Sequence, residues 1–399
     1  MKNKEKLLIV SAISPFPKTS GGAVRIYNTI KYLSEQFELY FIFFIPQGTS
    51  LNNDDKIFLK EKTKLSTHFY QKSQKNYFSF INEFQPYWFS DWLDDELKIF
   101  LPKIIKKYNI KNIQIEFTQL LYLNQFIPKN VKSIYVAHDI STVSFWRRLF
   151  EVKNPINFFV HCFRWIQIYI YEKYYLPLFD LVISMSNIDK NMLINKYNCK
   201  NVVVKQNGVE NINFLKKRLN QTINLGYIGS FNHPPNRTAI TYFLNEIAPQ
   251  LERNRIKYKY FIAGDNNRED IKTIINRSEL KNKKNIVNLR KVKDVEDFYK
   301  KIDILIAPIL SGSGTRIKIL EALSFGVPVI TTTIGKEGID FNSDYLNTAK
   351  DASSFIFEIK KIKNSQSKII SMEDFHLKKL IQPLIWVNIF KNYLVGLFK

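Results

Sequence analysis

Several features that mark particular protein classes are scarce in this sequence. Only two cysteines, Cys162 and Cys199, occur among 399 residues, and neither they nor the five histidines have the spacing of a metal site. The most apolar stretches are short or interrupted by a charge, well below the roughly 20 residues that a spanning helix needs. A disulfide framework, a metal centre and a transmembrane helix are therefore not expected.

Acidic residues are also in deficit, with 36 Asp and Glu against 59 Lys and Arg, so the net charge is +23. The sequence has no basic tail, and no Lys/Arg block interleaved with exposed aromatics indicates nucleic-acid binding, so a nucleic-acid partner is not expected. The densest patch, residues 103–173, carries 11 Lys and Arg against 4 Asp and Glu. An anionic membrane surface suits such a patch better.

The two cysteines are typical of a reducing compartment. The first residues are interpreted as a strand, because they lack the cleavage site of a signal peptide. The chain is expected in the cytoplasm, with a peripheral position on the inner face of the cytoplasmic membrane as a further candidate.

Short apolar runs alternate with amphipathic stretches along the whole chain, a pattern typical of βα units around parallel sheets. The predicted strands are Lys6–Ile13, Leu39–Ile45, Asn112–Phe117, Ser133–Ala137, Leu181–Met185, Val202–Lys205, Asn224–Ile228, Tyr258–Ala263, Asn285–Leu289, Ile304–Ala307 and Val327–Thr331. The predicted helices are Ala23–Gln36, Leu97–Tyr108, Thr142–Tyr175, Asn187–Asn195, Asn236–Leu251, Asp270–Arg277, Val295–Lys301 and Arg316–Leu323. The fold class is α/β with two Rossmann-like, doubly wound parallel-sheet domains. Their expected bounds are 1–208 and 209–378, followed by a C-terminal helical segment at 379–399.

Two loops between a predicted strand and a predicted helix contain glycines that would let backbone N–H groups approach an anion. The first loop contains Gly21 and Gly22, and a plain turn also explains it. The second is the run from Gly312 to Arg316, with Lys318 in the same first helical turn. Cations at a helix N-terminus oppose its dipole unless an anion binds there, so this loop suits a diphosphate. An exposed loop with solvated charges is the alternative.

Three further motifs follow predicted strands. His138 and Asp139 lie just past a strand end, where sites form in doubly wound sheets, although a lone histidine is often structural. Asn207-Gly208 is a hinge turn by default. In the run Gly229–Arg237 the side chain of Asn236 is a candidate helix N-cap, and a capped turn alone would explain the motif.

Taken in order, these five motifs resemble those of the GT-B glycosyltransferases, specifically the retaining, nucleotide-sugar-dependent enzymes of glycosyltransferase family 4, of the bacterial surface-polysaccharide kind. The resemblance covers nearly the whole chain and is strongest from Gly226 to Gly338. There the family's Gly-Ser-x(4)-Pro-Asn, Gly-Ser-Gly-Thr-Arg-x-Lys-x-x-Glu-Ala and Gly-x-Pro-Val runs are all present. It implies two Rossmann-like domains, 1–208 binding the acceptor and 209–378 binding the donor, that face a central cleft holding the active site. The helix at 379–399 resembles the family's terminal helix that crosses back to the first domain, and lying on lipid is the alternative.

The resemblance also implies roles for individual residues. His138, near the transferred sugar, and Arg316 and Lys318, on the diphosphate, would be catalytic. Contacts to the donor are implied for Gly21, Gly22, Asn207, Gly229, Ser230, Arg237, Ser313, Gly314, Thr315 and Glu321. Acceptor contacts are implied for Arg25 and Asp139. No cofactor and no metal is expected, because the nucleotide-sugar is a co-substrate and fixed cations can stabilise the departing diphosphate.

One departure from the family pattern concerns its pair of glutamates eight positions apart, because Ser313 stands where the first would be. The acceptor is expected to be a glycan or lipid-linked glycan in cell-surface polysaccharide synthesis. The stretch Phe145–Tyr175 mixes cations with aromatics and is interpreted either as an interfacial segment or as a core-facing helix with a solvated side. A GT-B-like sugar-nucleotide epimerase and a non-catalytic subunit of a glycan-assembly complex remain open alternatives.

Overall fold

The computed structural model describes residues 4–72, 85–150, 152, 154–215, 221–264, 271–278, 280, 282–364, 375–391 and 393. They fall into two compact units. Unit 1 comprises the chain up to Lys18, Gly22–Gln206 and the chain from Phe390 onward, and unit 2 comprises Thr19–Gly21 and Asn207–Ile389. Each unit has its own hydrophobic core.

Unit 1 is built on a seven-stranded parallel sheet. Its strands are β1 (Lys6–Ser11), β2 (Glu38–Ile45), β3 (Leu65–Tyr70), β4 (Asn112–Glu116), β5 (Lys132–Ala137), β6 (Leu181–Ser184) and β7 (Val202–Val204). In space they follow the order β3-β2-β1-β4-β5-β6-β7, so the order reverses between β1 and β4. β1 and β2 are almost wholly buried, as strands covered on both faces are. The carboxyl ends of β1 and β4 are therefore the place where a doubly wound sheet binds ligands.

Unit 2 repeats this arrangement with a six-stranded parallel sheet. Its strands are β8 (Ile223–Ile228), β9 (Tyr258–Ala263), β10 (Ile286–Arg290), β11 (Ile304–Ala307), β12 (Val329–Thr331) and β13 (Leu346–Thr348). The spatial order β10-β9-β8-β11-β12-β13 reverses between β8 and β11. At Gly226 on β8, a side-chain carbon would lie 2.4 Å from Cγ2 of Ile302. Glycine thus allows the chain around Ile302 to pack directly on the strand.

Helices connect the strands of both sheets. They are α1 (Gly21–Gln36), α2 (Asn53–Lys62), α3 (Asp95–Tyr108), α4 (Ser141–Leu149), α5 (Pro155–Tyr175), α6 (Asn187–Asn195), α7 (Pro234–Tyr242), α8 (Ala248–Arg253), α9 (Ile271–Arg277), α10 (Val295–Lys301), α11 (Ile317–Ser324), α12 (Thr333–Lys336), α13 (Ala352–Asn364), α14 (Phe375–Ile381) and α15 (Trp386–Lys391). Short 3₁₀ turns lie at Tyr87–Trp92, Thr118–Phe126, Leu176–Leu178, Lys283–Asn285 and Gln382–Leu384. The fold class predicted from the sequence, α/β with two doubly wound parallel-sheet domains, is confirmed.

One of the predicted helices is wrong as a single element, and a second lies within a continuous helical run that contains a π-helical turn. The prediction over Thr142–Tyr175 is interrupted between α4 and α5, because the residue before Pro155 is disfavoured in helical conformation and Asn154 instead caps α5 by accepting from the Asn157 N–H. The prediction over Asn236–Leu251 is divided into α7, a π-helical turn at Phe243–Ile247, and α8. Pro249 at the start of α8 has no N–H with which to continue the regular ladder.

Five elements were not predicted at all: β3, β13, α2, α12 and α13. β3 alternates half-buried and exposed residues and carries polar side chains, so it lacks the apolar run by which the other strands were recognised. β13 is only three residues long. The predicted helix start at Asp270 and most of the chain end beyond Lys391 lie outside the described residues.

Candidate functional site

The ammonium group of Lys318 is the centre of the candidate site in unit 2. Lys318 is half-buried in the first turn of α11, and its Nζ donates to the Tyr227 hydroxyl and to Asn236 Oδ1, each at 2.9 Å. The Tyr227 hydroxyl in turn donates to Asn236 Oδ1 at 2.7 Å, and the ammonium lies 4.0 Å from the tyrosine ring centroid. Tyr227 is on β8, so this polar triangle lies at the strand where the sheet order reverses.

Electrostatics at Lys318 favour an anionic ligand. Both of its hydrogen-bond acceptors are neutral oxygens. Burial and the neighbouring Arg316 guanidinium lower the pKa of Lys318 to about 7. Two cations close together at the start of a helix repel each other and the helix dipole, and a bound anion removes both penalties.

The Lys318 ammonium fits beside Gly229 because glycine has no side chain. A side-chain carbon at this position would lie 2.7 Å from Lys318 Nζ and 2.8 Å from Asn236 Nδ2. The carbonyl of the next residue, Ser230, accepts from Asn236 Nδ2 at 2.6 Å. Asn236 is therefore not the N-cap that the sequence suggested, since His233 occupies that position and α7 begins at Pro234. Its side chain instead ties the strand end to Lys318.

Arg316 folds back onto the loop that precedes α11. Its Nη1 donates to the Gly314 carbonyl at 2.7 Å and to the Ser313 carbonyl, and its Nη2 donates to the Ser311 carbonyl at 3.4 Å. Gly312 and Gly314 have positive φ angles of 92° and 77°, which glycine adopts without strain. Arg316 thus shapes the loop, and its predicted contact with a diphosphate stays a prediction.

Glu321 lies about one turn after Lys318 on α11. Its Oε2 accepts from the Tyr299 hydroxyl at 3.3 Å, and the same hydroxyl lies 3.0 Å from the Lys318 carbonyl. Burial raises the pKa of Glu321 to about 7, against the opposing effects of the Tyr299 hydroxyl and the Lys318 charge. A half-buried carboxyl with such a pKa can either accept or donate a hydrogen bond, which suits the recognition of hydroxyl groups.

Two further predicted donor residues lie in the same unit. Asn207 is buried, and its Nδ2 lies 3.5 Å from the carbonyl of Thr315 in the loop before α11. Arg237, in the first turn of α7, donates to the Phe231 carbonyl at 2.5 Å. The structure thus brings Asn207 to the Gly-Ser-Gly loop, whereas Arg237 stabilises its own turn. Donor contacts of both residues remain predictions.

In unit 1, His138 is held by a glutamate. The histidine follows β5, and its Nε2 lies 2.6 Å from Oε2 of Glu116, the last residue of β4. Glu116 is fully buried, and its other oxygen accepts from Gln114 Nε2 at 2.5 Å. A hydrogen bond between a buried carboxyl group and one ring nitrogen fixes the orientation of the imidazole. The predicted histidine is therefore oriented by a carboxylate at the reversal point of this sheet.

The ring of Phe117 packs against the ring of His138. The two rings stack with centroids 3.8 Å apart and planes within 5° of parallel. The backbone of Phe117 has φ 78° and ψ 146°, a region that glycine normally occupies. At Gly22, the second residue of α1, a side-chain carbon would lie 3.0 Å from both Phe117 and Ile13, so the close approach of α1 requires glycine there. Gly21 is the first residue of α1.

The two residues predicted to contact the acceptor both have bonding partners in unit 1. Arg25 is fully buried and donates to the Gln206 carbonyl at 2.6 Å and to the Tyr393 hydroxyl at 3.2 Å. Asp139 accepts from the Ser144 hydroxyl at 3.0 Å. These contacts give both residues structural roles, and acceptor binding by them stays a prediction.

Sequence reasoning missed Glu116, Tyr227 and Asn236 as parts of these clusters. Glu116 could have been noticed as a carboxyl ending an otherwise uncharged buried strand, whereas the link from Tyr227 and Asn236 to Lys318 spans about 90 residues of chain and has no local signal. Among the residues that the structure describes, no group of three or more His, Cys, Asp or Glu side chains could hold a metal ion.

Comparisons with known proteins agree with this geometry. Residues 222–364 match the family model for glycosyl transferases group 1. An uncharacterized 44.6 kDa protein in the cps region of Klebsiella pneumoniae is 22% identical over 92% of this chain and 93% of its own. Among solved structures, a glycosyltransferase from Rickettsia africae ESF-5 superposes with a TM-score of 0.66 at 16% identity, over 100% of this chain and 98% of that one. Anabaena HepE, in complex with UDP, gives 0.63 at 13% identity over 99% of both chains.

Two parallel sheets of seven and six strands, each with its order reversed at the centre, are the GT-B fold shared by these neighbours. The matched segment begins just before β8 and includes Lys318, Glu321 and the Gly-Ser-Gly loop. Residues 222–364 therefore form a glycosyl transferase group 1 domain within a GT-B fold, and the protein is a glycosyltransferase.

Proposed function

We propose that the protein transfers a sugar from a nucleotide-sugar donor to a glycan or lipid-linked glycan, with retention of configuration and without a metal, in cell-surface polysaccharide synthesis. The Lys318 cluster carries this proposal. A half-buried ammonium with neutral acceptors, next to a second cation and a glycine-rich loop at a helix N-terminus, is suited to a diphosphate. The UDP and UDP-glucose complexes of Anabaena HepE support a nucleotide-sugar as donor.

The chemistry follows from the charge that develops when the glycosyl–phosphate bond breaks. The leaving diphosphate gains negative charge, and Lys318, the loop N–H groups and the α11 dipole stabilise it without reorganising. In a retaining transfer the departing phosphate oxygen takes the proton of the attacking acceptor hydroxyl on the same face of the sugar. No protein nucleophile is assigned. His138, with its ring fixed by Glu116, contacts the transferred sugar as a helper.

A surface polysaccharide role is supported by the Klebsiella relative, which lies in a cps region. The resemblance of the sequence motifs is the other support for a glycan or lipid-linked glycan as acceptor. We propose no particular donor sugar. The family's first glutamate is replaced here by Ser313, whose carbonyl accepts from Arg316.

A thermal-shift panel tests the donor site. UDP, GDP, ADP, CMP, TDP and their sugar nucleotides are compared on the wild type, on Lys318→Ala and on Lys259→Ala, which changes an exposed lysine of the same unit. A ligand at about 100 times its Kd stabilises the fold by roughly 2.7 kcal/mol. We expect one nucleotide to raise the melting temperature of the wild type and of Lys259→Ala but not of Lys318→Ala.

Turnover then distinguishes the alternative functions. With the identified donor and an acceptor extract, Lys318→Ala should lower turnover by about one to three orders of magnitude. Formation of an epimeric sugar nucleotide without any acceptor would replace the transferase proposal with an epimerase. Absence of a shift with every nucleotide would contradict the donor site and favour a non-catalytic subunit.

A further inference from the structure

The first half of α5 carries an unusually exposed apolar surface. The buried residues of this 21-residue helix, Gln167, Ile168, Tyr171, Glu172 and Tyr175, all lie in its second half. Ile156 and Phe159 expose 75% and 72% of their surface, Phe163 57%, Ile166 46% and Ile170 37%. We call these five residues the α5 stripe. Side chains of this kind are ordinarily buried, and large contiguous apolar patches on a protein surface mark interaction sites.

The spacing of the α5 stripe places it on a single side of the helix. Its members follow one another at intervals of three or four residues, which is the repeat of one helical face. From Ile156 to Ile170 the helix extends about 20 Å. The stripe is therefore a continuous row along one side, and Phe158 and Val160, 39% and 41% exposed, add apolar surface on other sides of the first turns.

Membrane crossing does not account for this surface. Within the described ranges, every helix is too short or too polar to span a bilayer. From Arg164 onward the opposite side of α5 is engaged in unit 1: Ile168 is buried, and Arg164 donates to the Tyr87 hydroxyl at 2.9 Å. A helix fixed along one side with an apolar stripe along the other can lie flat in a lipid interface.

Charge decides between a lipid surface and a second copy of the chain. The net charge is +23, so two copies repel each other. The described cations of α4 and α5 other than Arg164, which bonds to Tyr87, are Arg147, Arg148 and Lys173, and the described acidic residue of these helices, Glu172, is buried. An excess of cations on the two helices that carry the apolar stripe matches anionic headgroups above acyl chains. We infer that the α5 stripe docks the protein on an anionic lipid bilayer.

The stripe lies within the stretch Phe145–Tyr175 that the sequence suggested, and other residues of that stretch are covered. The Trp165 ring stacks with that of Tyr169 at a centroid distance of 5.8 Å and lies 5.2 Å from the Trp146 centroid, so Trp165 is partly covered. Arg164 is hydrogen-bonded to the Tyr87 hydroxyl. The docking residues are instead the isoleucines and phenylalanines of the stripe. The inference does not depend on sugar transfer, because vesicle binding is measured without a donor or an acceptor.

Co-sedimentation with sucrose-loaded vesicles tests the inference on the full chain. Wild type is compared with the double variant Phe159→Ser/Phe163→Ser on phosphatidylcholine vesicles with and without 30% phosphatidylglycerol. The control is Phe357→Ser, which removes a phenylalanine that is 65% exposed on α13 of unit 2. Because two largely exposed rings would enter the interface, we expect the double variant to bind at least about tenfold more weakly and the control to bind like wild type.

Three results would overturn the inference. The first is equal binding of the wild type and the stripe variant at unchanged melting temperature. The second is binding to pure phosphatidylcholine as tight as to the anionic vesicles. The third is a wild-type dimer in sedimentation velocity that the stripe variant converts to monomer, which would identify the stripe as a self-association surface. Strong weakening by 0.5 M NaCl together with monomeric wild type supports it.

Discussion

Nucleotide binding should depend on pH through the protonation of Lys318. The pKa of its ammonium is lowered to about 7 in the free protein by burial and by Arg316, and the neutral amine cannot pair with a diphosphate. A bound diphosphate favours the charged form, so binding takes up a proton wherever the free protein is partly deprotonated. Affinity is therefore highest below pH 7 and falls as the pH rises through the pKa of Lys318.

The size of the effect follows from the charged fraction. With a pKa of about 7, roughly three quarters of the lysines are charged at pH 6.5 and roughly 3% at pH 8.5. If only the charged form binds the diphosphate, Kd rises about 25-fold over these two pH units. Near pH 7 the binding of each nucleotide takes up about half a proton.

Isothermal titration calorimetry at pH 6.5, 7.5 and 8.5 measures both quantities, since the proton uptake appears as a dependence of the heat on the buffer. Lys318→Gln is the matched control, because it is neutral at every pH and removes only the titrating group. We expect its Kd to be weak and nearly constant. A wild-type Kd that stays within twofold from pH 6.5 to 8.5, or a slope that persists in Lys318→Gln, would refute the reasoning.

Three other substitutions each test one packing contact or hydrogen-bonding arrangement described above. Gly226→Ala puts a methyl group 2.4 Å from Ile302 and should lower the free energy of unfolding by about 1–3 kcal/mol in thermal melts, and an unchanged melting temperature would contradict that packing. Glu116→Gln removes the carboxylate that orients His138, so kcat should fall about 10- to 100-fold with the donor KM within twofold, whereas a change in KM alone would contradict the orienting role. Arg25→Met removes the donor to the Gln206 carbonyl and the Tyr393 hydroxyl and should lower the free energy of unfolding by about 2–4 kcal/mol, whereas a raised acceptor KM at unchanged melting temperature would instead support acceptor binding.

The predictable part of the fold is the part that local composition determines. β1, β2 and β11 are uninterrupted apolar runs, and burial on both faces of a parallel sheet demands such runs. β3 escaped prediction because it lies beside β2 at the edge of the sheet formed by the described strands and keeps polar residues. The break before α5 is caused by Pro155, a signal present in the sequence but outweighed there by the apolar periodicity around it.

At the candidate site, the sequence nominates residues without indicating what they touch. The Gly-Ser-Gly-Thr-Arg run located Lys318, and the strand end located His138. Their partners Tyr227, Asn236 and Glu116 come from other strands and helices, and only the order of the sheets brings them together. Arg316 shows the converse, because its charge suggested a ligand while its guanidinium is occupied by the loop carbonyls.

The backbone of Phe117 has a consequence for how this enzyme can be improved in the laboratory. A non-glycine residue in that region of φ and ψ costs about 1–3 kcal/mol, and the ring it carries is the one stacked on His138. A screen for heat resistance favours variants that lack this backbone strain, whereas a screen for turnover favours variants that keep the aromatic ring on His138. A library randomised at position 117 should therefore diverge, with glycine enriched by thermal screening and aromatic residues retained by screening for transfer.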